Sequence, residues 1–453
     1  MHNVSSRAGT SALAATIAVL SVYVGGCGGH AARTLKMRTA LDQGQPRAAI
    51  SALNEELDVK TDRDMPAKVI GDDALLVLDR ATIQQSLAQF DASKRDFSEA
   101  DKAIDMLDLA HNAGDSIGQY VFSDSAGKYV APPYEKLLIN TLNLMNYLET
   151  GDLSGAKVEA RRLTVMQRYI TESLKEKDNA VVGLGGFLAG YTYEKSGDID
   201  EALRYYDDAL AFSGYNSLKD PVRALASQGT YSSPRLKTLV GEGAAPAKDD
   251  EGGEIVFVVG YGRVPHKIPQ RIPIGLALTL VSADMHPGDV TAANKLATQG
   301  LVTWINFPTL APETGQYEIP SCKLDNNFVQ LEEAVDVSRQ VRSEWKKIEG
   351  KIIISAITRL IARLAVGEGI QQASGKGSIA GFVASLAVQG TLSALDTPDT
   401  RSWETLPARI AIARVRVPAG KHAVHIDARG VSRKQEVNVA KGGWAVVSLM
   451  ALR

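Results

Sequence analysis

The stretch that most limits how this chain can fold is residues 190–210, GYTYEKSGDIDEALRYYDDAL. Gly190, Tyr193, Gly197, Ala202, Tyr206 and Ala209 fall at spacings suited to two antiparallel helices. Gly197 opens the turn between them, and Ala202 and Ala209 let them approach closely. Tyr193 and Tyr206 fill the gap. A fainter copy, NYLETGDLSGAKVEARR, keeps Tyr147, Gly151 and Ala156 in the same Tyr-x3-Gly-x4-Ala order, and ALDQGQPRAAISALNEEL keeps Gly44, Ala49 and Leu53. Between them, IQQSLAQFDASKRDFSEADKAIDML reads as another long helix pair.

These offsets resemble those of a tetratricopeptide (TPR) repeat. Residues 27–240 are therefore expected to form a TPR-like helical repeat domain, with a generic helical bundle as the alternative. Stacked helix pairs build a solenoid whose concave face holds a peptide or a partner domain, and such folds rarely carry catalytic groups. Arg161, Arg162, Arg204 and Tyr205 are candidate exposed contacts for a protein partner.

The second half reads differently. Residues 241–253, GEGAAPAKDDEGG, form a linker by composition. EIVFVVGYG contains a buried strand, and RIPIGLALTLVS reads as another. Residues 260–320 look loop-rich. From about 326 to 396 the pattern turns helical, and IAGFVASLAVQGTLSAL, residues 379–395, is free of charge. Helices in 351–395 are expected to pack in a core, with contact to a membrane or partner as the rival reading. Four strands follow: ARIAIARVRV, KHAVHIDA, RKQEVNVA and WAVVSLMAL, read as antiparallel hairpins. The first strands are expected to pair with the last, giving one β domain over 254–453 with a helical insertion. The fold class is thus α+β: an all-α N-terminal region, then an antiparallel β domain.

At the N-terminus, a basic start precedes the apolar run SALAATIAVLSVYV, residues 11–24, and the exit GGCGG. This is the layout of a secretory signal, and it is too short to span a bilayer as a helix. Val24-Gly25-Gly26-Cys27 resembles a bacterial lipoprotein cleavage site. The resemblance implies a signal peptide over residues 1–26, acylation of Cys27 (palmitate among the acyl chains) and a mature chain starting there. Gly28 after the cysteine implies passage to the outer membrane, facing the periplasm. The partner at this end would be the membrane, through lipid on Cys27.

Composition excludes some classes of function. With Lys+Arg 50 against Asp+Glu 52 and 6% aromatics, no nucleic-acid surface is expected. Two cysteines cannot build a disulfide framework. No metal or cofactor is expected, because the histidines lack ligand spacing and His422 and His425 fall on opposite faces of a strand. Gly183-x-Gly185-Gly186 lies in helical sequence, and Gly260-Tyr261-Gly262 is followed by prolines, so neither makes a phosphate loop.

DRATIQQSLAQFDASKRDF, EKLLINTLNLMNYLETGDLSGAKVEARR, the stretch near 255–267 and DTRSWETLPARIAIARVRVPAGKH resemble a group of bacterial lipoproteins with repeat-like helices. The most distinctive piece is Asp399-Thr400-Arg401-Ser402-Trp403, leading into Leu406-Pro407 and Pro418-x-Gly420. The resemblance implies association with a lipoprotein activator of penicillin-binding proteins, and it carries no catalytic residues. The expected function is a non-enzymatic envelope scaffold that binds proteins through its repeats, with a further copy of the chain as another candidate partner. The alternatives are an envelope enzyme or glycan-binding component with a cleft in 254–330 around His266, His286 and Cys322, or a subunit of a trans-envelope complex using 351–395.

Overall fold

The computed structural model describes residues 29–108, 129, 131–172, 181–243, 251–285, 287–298, 304–312, 318–373 and 398–453. Cys27, the signal segment, His286 and residues 374–397 lie outside them. The fold is α+β, as the sequence implies.

A short helix α1 (His30–Arg33) precedes four helix pairs. These are α2 (Leu35–Asp42) with α3 (Pro46–Glu56), α4 (Asp73–Ser86) with α5 (Phe90–Asp108), α6 (Pro133–Glu149) with α7 (Leu153–Glu172), and α8 (Val181–Lys195) with α9 (Ile199–Phe212). Two short helices, α10 (Lys219–Ala226) and α11 (Pro234–Gly241), follow. Gly44, Gly151 and Gly197 turn three of the pairs at φ of 71°, 71° and 77°, the left-handed region that glycine enters without cost. Each turn closes with the same two bonds; at Gly197, its N–H donates to Glu194 O at 3.0 Å and Asp198 N–H to Tyr193 O at 3.0 Å.

Among the described residues, ten strands follow in part-interleaved order. β1 (Gly252–Tyr261), β6 (Glu332–Asp336), β7 (Arg409–Pro418) and β10 (Trp444–Ala451) form a first sheet, ordered β10-β1-β7-β6. β4 (Ser321–Leu324), β5 (Asn327–Val329), β8 (Gly420–Ala428) and β9 (Val431–Val439) form a second, ordered β5-β4-β8-β9. β2 (Lys267–Pro273) pairs with β3 (Trp304–Leu310) apart from both. The first strand does pair with the last ones: β1 lies between β7 and β10.

The apolar run in β1 is uninterrupted because both its faces are covered. Ile255, Phe257 and Val259 point into a core shared with the second sheet. Val256 and Val258 point the other way, into a core shared with the helices. The molecule is therefore layered: helices, first sheet, second sheet. A third core joins α12 (Ile274–Val281), α13 (Pro287–Thr298), β2, β3 and the near half of α14 (Val337–Ala373).

Several expectations need correction. RIPIGLALTLVS is not one strand: the chain leaves β2 at Pro273, and Ile274–Val281 is the helix α12. A short apolar run carries no period that separates the two. The helical insertion begins at Val337 rather than 326, because residues 327–336 pair as β5 and β6. Residues 260–320 hold β2, α12, α13 and β3 rather than mainly loops. The C-terminal strands are not a run of hairpins. Only β8 and β9 pair as one, the chain changes sheet between β7 and β8, and β10 lies parallel to β1.

Candidate interaction site

The residues around the Gly197 turn lie between α8 and α9. Ala202, Tyr206 and Ala209 are fully buried, and a methyl at Gly190 would overlap the Tyr206 ring. Tyr193 stacks on Tyr205 with centroids 5.3 Å apart. Gly183, Gly185 and Gly186 belong to α8, not to a phosphate loop. A Cβ on Gly186 would stand 3.0 Å from Ala209 N and from Tyr205 O, so α8 and α9 touch backbone to backbone.

The first helices of the last three pairs, α4, α6 and α8, are buried over nearly their whole length. In a solenoid such helices line the inner face where a ligand peptide lies. Here that face is taken by the chain's own first sheet: α4 and α6 pack on β10, and α8 on β6. The segment leading into β7 fills the remainder. Trp403 is fully buried and donates Nε1–H to Thr82 Oγ1 (3.1 Å) and Thr405 Oγ1 (3.2 Å), with Phe97 edge-on at 5.8 Å. Asp79 Oδ1 accepts the Glu404 and Thr405 N–H groups at 3.1 and 2.9 Å, and the Thr405 hydroxyl at 2.8 Å. Glu135 accepts Trp403 N–H at 3.2 Å and the Tyr129 hydroxyl at 2.6 Å. Glu404 pairs with Arg38 at 2.6 Å, and Thr400 Oγ1 accepts Ala31 N–H at 2.9 Å.

The electrostatics follow from this burial. Desolvation pushes the Asp79 carboxyl well above the usual carboxylate range, helped by the Glu404 charge and opposed by the Thr405 bonds. Desolvation likewise raises Glu135 and Glu404. A second buried knot joins α8 and α9 to the sheet. Arg414 holds Glu254 Oε2 at 2.6 Å, with Glu194 Oε2 and the Tyr206 hydroxyl each at 3.0 Å. Burial alone would raise Glu194, but Arg414 and then Lys195 outweigh it and hold the carboxyl down at about 2. On the far edge, Glu149 of α6 meets Arg433 at 2.7 Å and the Ser448 hydroxyl at 2.6 Å.

With the inner face filled, the outer helices carry the free surface. Among the proposed contacts, Tyr205 is a correction. It is buried, and its hydroxyl donates to Ala160 O at 3.1 Å and meets Thr164 Oγ1 at 2.6 Å. Tyr205 lies one position from Tyr206, about 100° round the helix, and so faces α7. Arg204 pairs with Glu201 and covers the Tyr205 ring at 4.4 Å. Arg161 and Arg162 are exposed on α7, Arg162 reaching Asp101 at 3.1 Å. They share that face with Arg168 and with Val158 and Val165, which are 42% and 68% exposed.

Of the rival cleft's residues, His286 lies outside the described residues, and Cys322 and His266 sit in different surroundings. Cys322 lies in the core between the sheets, opposite Ile426 and Val329, and burial pushes its thiol up to about 12. His266 sits elsewhere, half-buried beside Arg38 and Arg263, and burial lowers it to about 4. His422 and His425 do face opposite ways: His422 is buried on Asp325 (2.7 Å), and His425 meets Ser432 (3.0 Å). Among the described residues, no three His, Cys, Asp or Glu side chains gather as a metal site. The buried acceptors Asp79 and Glu135 went unmarked in sequence, because each lies in an apolar helix whose partner is over 260 positions away.

The chain matches no known family model, and no curated protein matches it.

Proposed function

We propose that this protein is a lipid-anchored scaffold of the bacterial cell envelope, held at the periplasmic face of the outer membrane through Cys27. It binds a protein partner on the outer face of α7. One observation carries the choice of surface: the inner face of the helical pairs is occupied by residues 399–407 and the first sheet, whereas Val158 and Val165 stand exposed between Arg161, Arg162 and Arg168. Exposed aliphatic side chains framed by arginines suit a partner surface that is apolar at its centre and acidic at its rim. The likeness of the Asp399–Pro418 stretch to envelope lipoproteins supports the compartment. It also favours partners in peptidoglycan or outer-membrane machinery.

The test is site-specific photo-crosslinking in cells of the native organism. A photoreactive residue at Val165 is expected to yield a discrete adduct that one at exposed Ser51 on α3 does not. Arg161→Glu with Arg168→Glu is expected to remove it. No adduct at Val165, or one indifferent to both charge reversals, would end this reading.

A further inference from the structure

α12, IGLALTLV, has no charged residue. Ile274, Ala277, Leu278 and Val281 turn into the third core, whereas Leu276 and Leu280, one helical turn apart, are 52% and 59% exposed. A surface helix ordinarily shows water its polar side; this one shows leucine, with only Thr279 between. Trp304, 36% exposed, stands opposite Pro273, the residue that leads into α12. The Arg271 guanidinium lies over its ring at 5.4 Å. Exposed leucines on a helix, bordered by a tryptophan under an arginine, have the composition of a bilayer interface: apolar groups below, an amphipathic ring and a cation at headgroup level.

What covers this face follows from where the N-terminal chain goes. α1 packs against β2, and β2 runs directly into α12. Cys27 lies three positions before His30, which is at most about 10 Å of chain. The seven residues of β2 add about 23 Å. An acyl anchor at Cys27 would therefore bring a bilayer within reach of the module that carries Leu276, Leu280 and Trp304.

We propose that α12 and Trp304 form a second membrane contact, laid on the same bilayer that holds the N-terminal anchor. The inference rests on the anchored reading of Cys27. An anchor alone tethers the molecule at a point and leaves its tilt free. A second contact fixes the tilt, and with it the direction in which α7 points.

Protein purified from membranes is reconstituted into phosphatidylethanolamine–phosphatidylglycerol vesicles whose acyl chains are brominated, and tryptophan fluorescence is compared with unbrominated vesicles. Trp345 and Trp403 are buried and Trp444 is half-buried against Tyr191, so Trp304 is the most exposed of the four tryptophans, and the Trp304→Phe variant isolates its share of the signal. Quenching is expected, lost in Trp304→Phe and lost in Leu276→Glu/Leu280→Glu with circular dichroism unchanged. Vesicle-bound protein whose Trp304 is unquenched overturns the contact, as does a double variant quenched like wild type or a second copy crosslinked through α12. Palmitate labelling of wild type against Cys27→Ala separates the two ideas. Label without quenching leaves the anchor and removes the contact; quenching without label keeps the contact and removes the anchor.

Discussion

His30 is buried where the described chain begins, with Arg33, Arg38, Asp399 and the Ser402 backbone around it. Burial, and then the Arg33 charge, lower its pKa from 6.5 to about 3, against a smaller opposing pull from Asp399. The folded protein therefore leaves this ring neutral between pH 6.5 and 3, while the unfolded chain protonates it. Stability is present in full above pH 6.5 and falls as the pH drops below it. At pH 5 the loss amounts to about 2 kcal/mol, at roughly 1.4 kcal/mol per unit. His266 shifts in the same direction, and His422, raised by its bond to Asp325, shifts in the opposite one. Both remain in a His30→Leu variant, so the difference between the two proteins isolates His30. Urea melts at pH 7.5 and 5.0 are expected to show wild type losing about 2 kcal/mol more than the variant; equal losses would refute it. None of this was legible in the sequence, where His30 is one scattered histidine and its neighbour Asp399 lies far along the chain.

At the scale of elements, the turn between α4 and α5 repeats a geometry without its residue. Ala88 N–H donates to Gln85 O at 3.0 Å and Gln89 N–H to Gln84 O at 2.9 Å, the bonding of the Gly197 turn. Gln84, Ala88 and Ser93 thus stand where Tyr193, Gly197 and Ala202 stand in the clearest copy. The stretch from Ile83 reads as a helix pair, but no glycine marks the place of its turn, because that position is Ala88, whose φ is +56°. An alanine in that region costs about 1–2 kcal/mol, and part of the relief from glycine is cancelled by the freer unfolded chain. Ala88→Gly is therefore expected to raise stability by about 0.5–1 kcal/mol, read as a higher urea midpoint at unchanged slope. A midpoint that stays or falls would show that something other than turn geometry holds Ala88. The same scale explains α12. Pro273 ends a strand and Ile274 begins a helix within one apolar run, and only tertiary packing decides between the two.

For the whole molecule, composition marks 241–253 as a linker between two units, yet the core does not stop there. Leu75, Leu137 and Leu184 of the helices belong to one apolar cluster with Val256, Val258, Ile410, Ile412 and Trp403. The unbroken apolar run of β1 was a legible sign that both its faces are covered. Which element covers the second face depends on contacts between distant stretches, and local pattern does not encode those. A consequence follows for folding. If α4, α6 and α8 were separated from the sheet, they would expose apolar surface, and Asp79 and Glu135 would lose the backbone N–H groups they accept. The helices and the first sheet should therefore unfold together. In the full chain, the far-ultraviolet helical signal and the emission of buried Trp403 are expected to share one denaturation midpoint. Residues 29–243 expressed alone are expected to keep helix content but to melt without a sharp transition and to bind a hydrophobic dye, as packed secondary structure does when specific packing is lost. A helical half that melts as sharply as the full chain would show that the sheet only rests against a self-sufficient solenoid, and the inner face would then be free to release residues 399–407 to an outside partner.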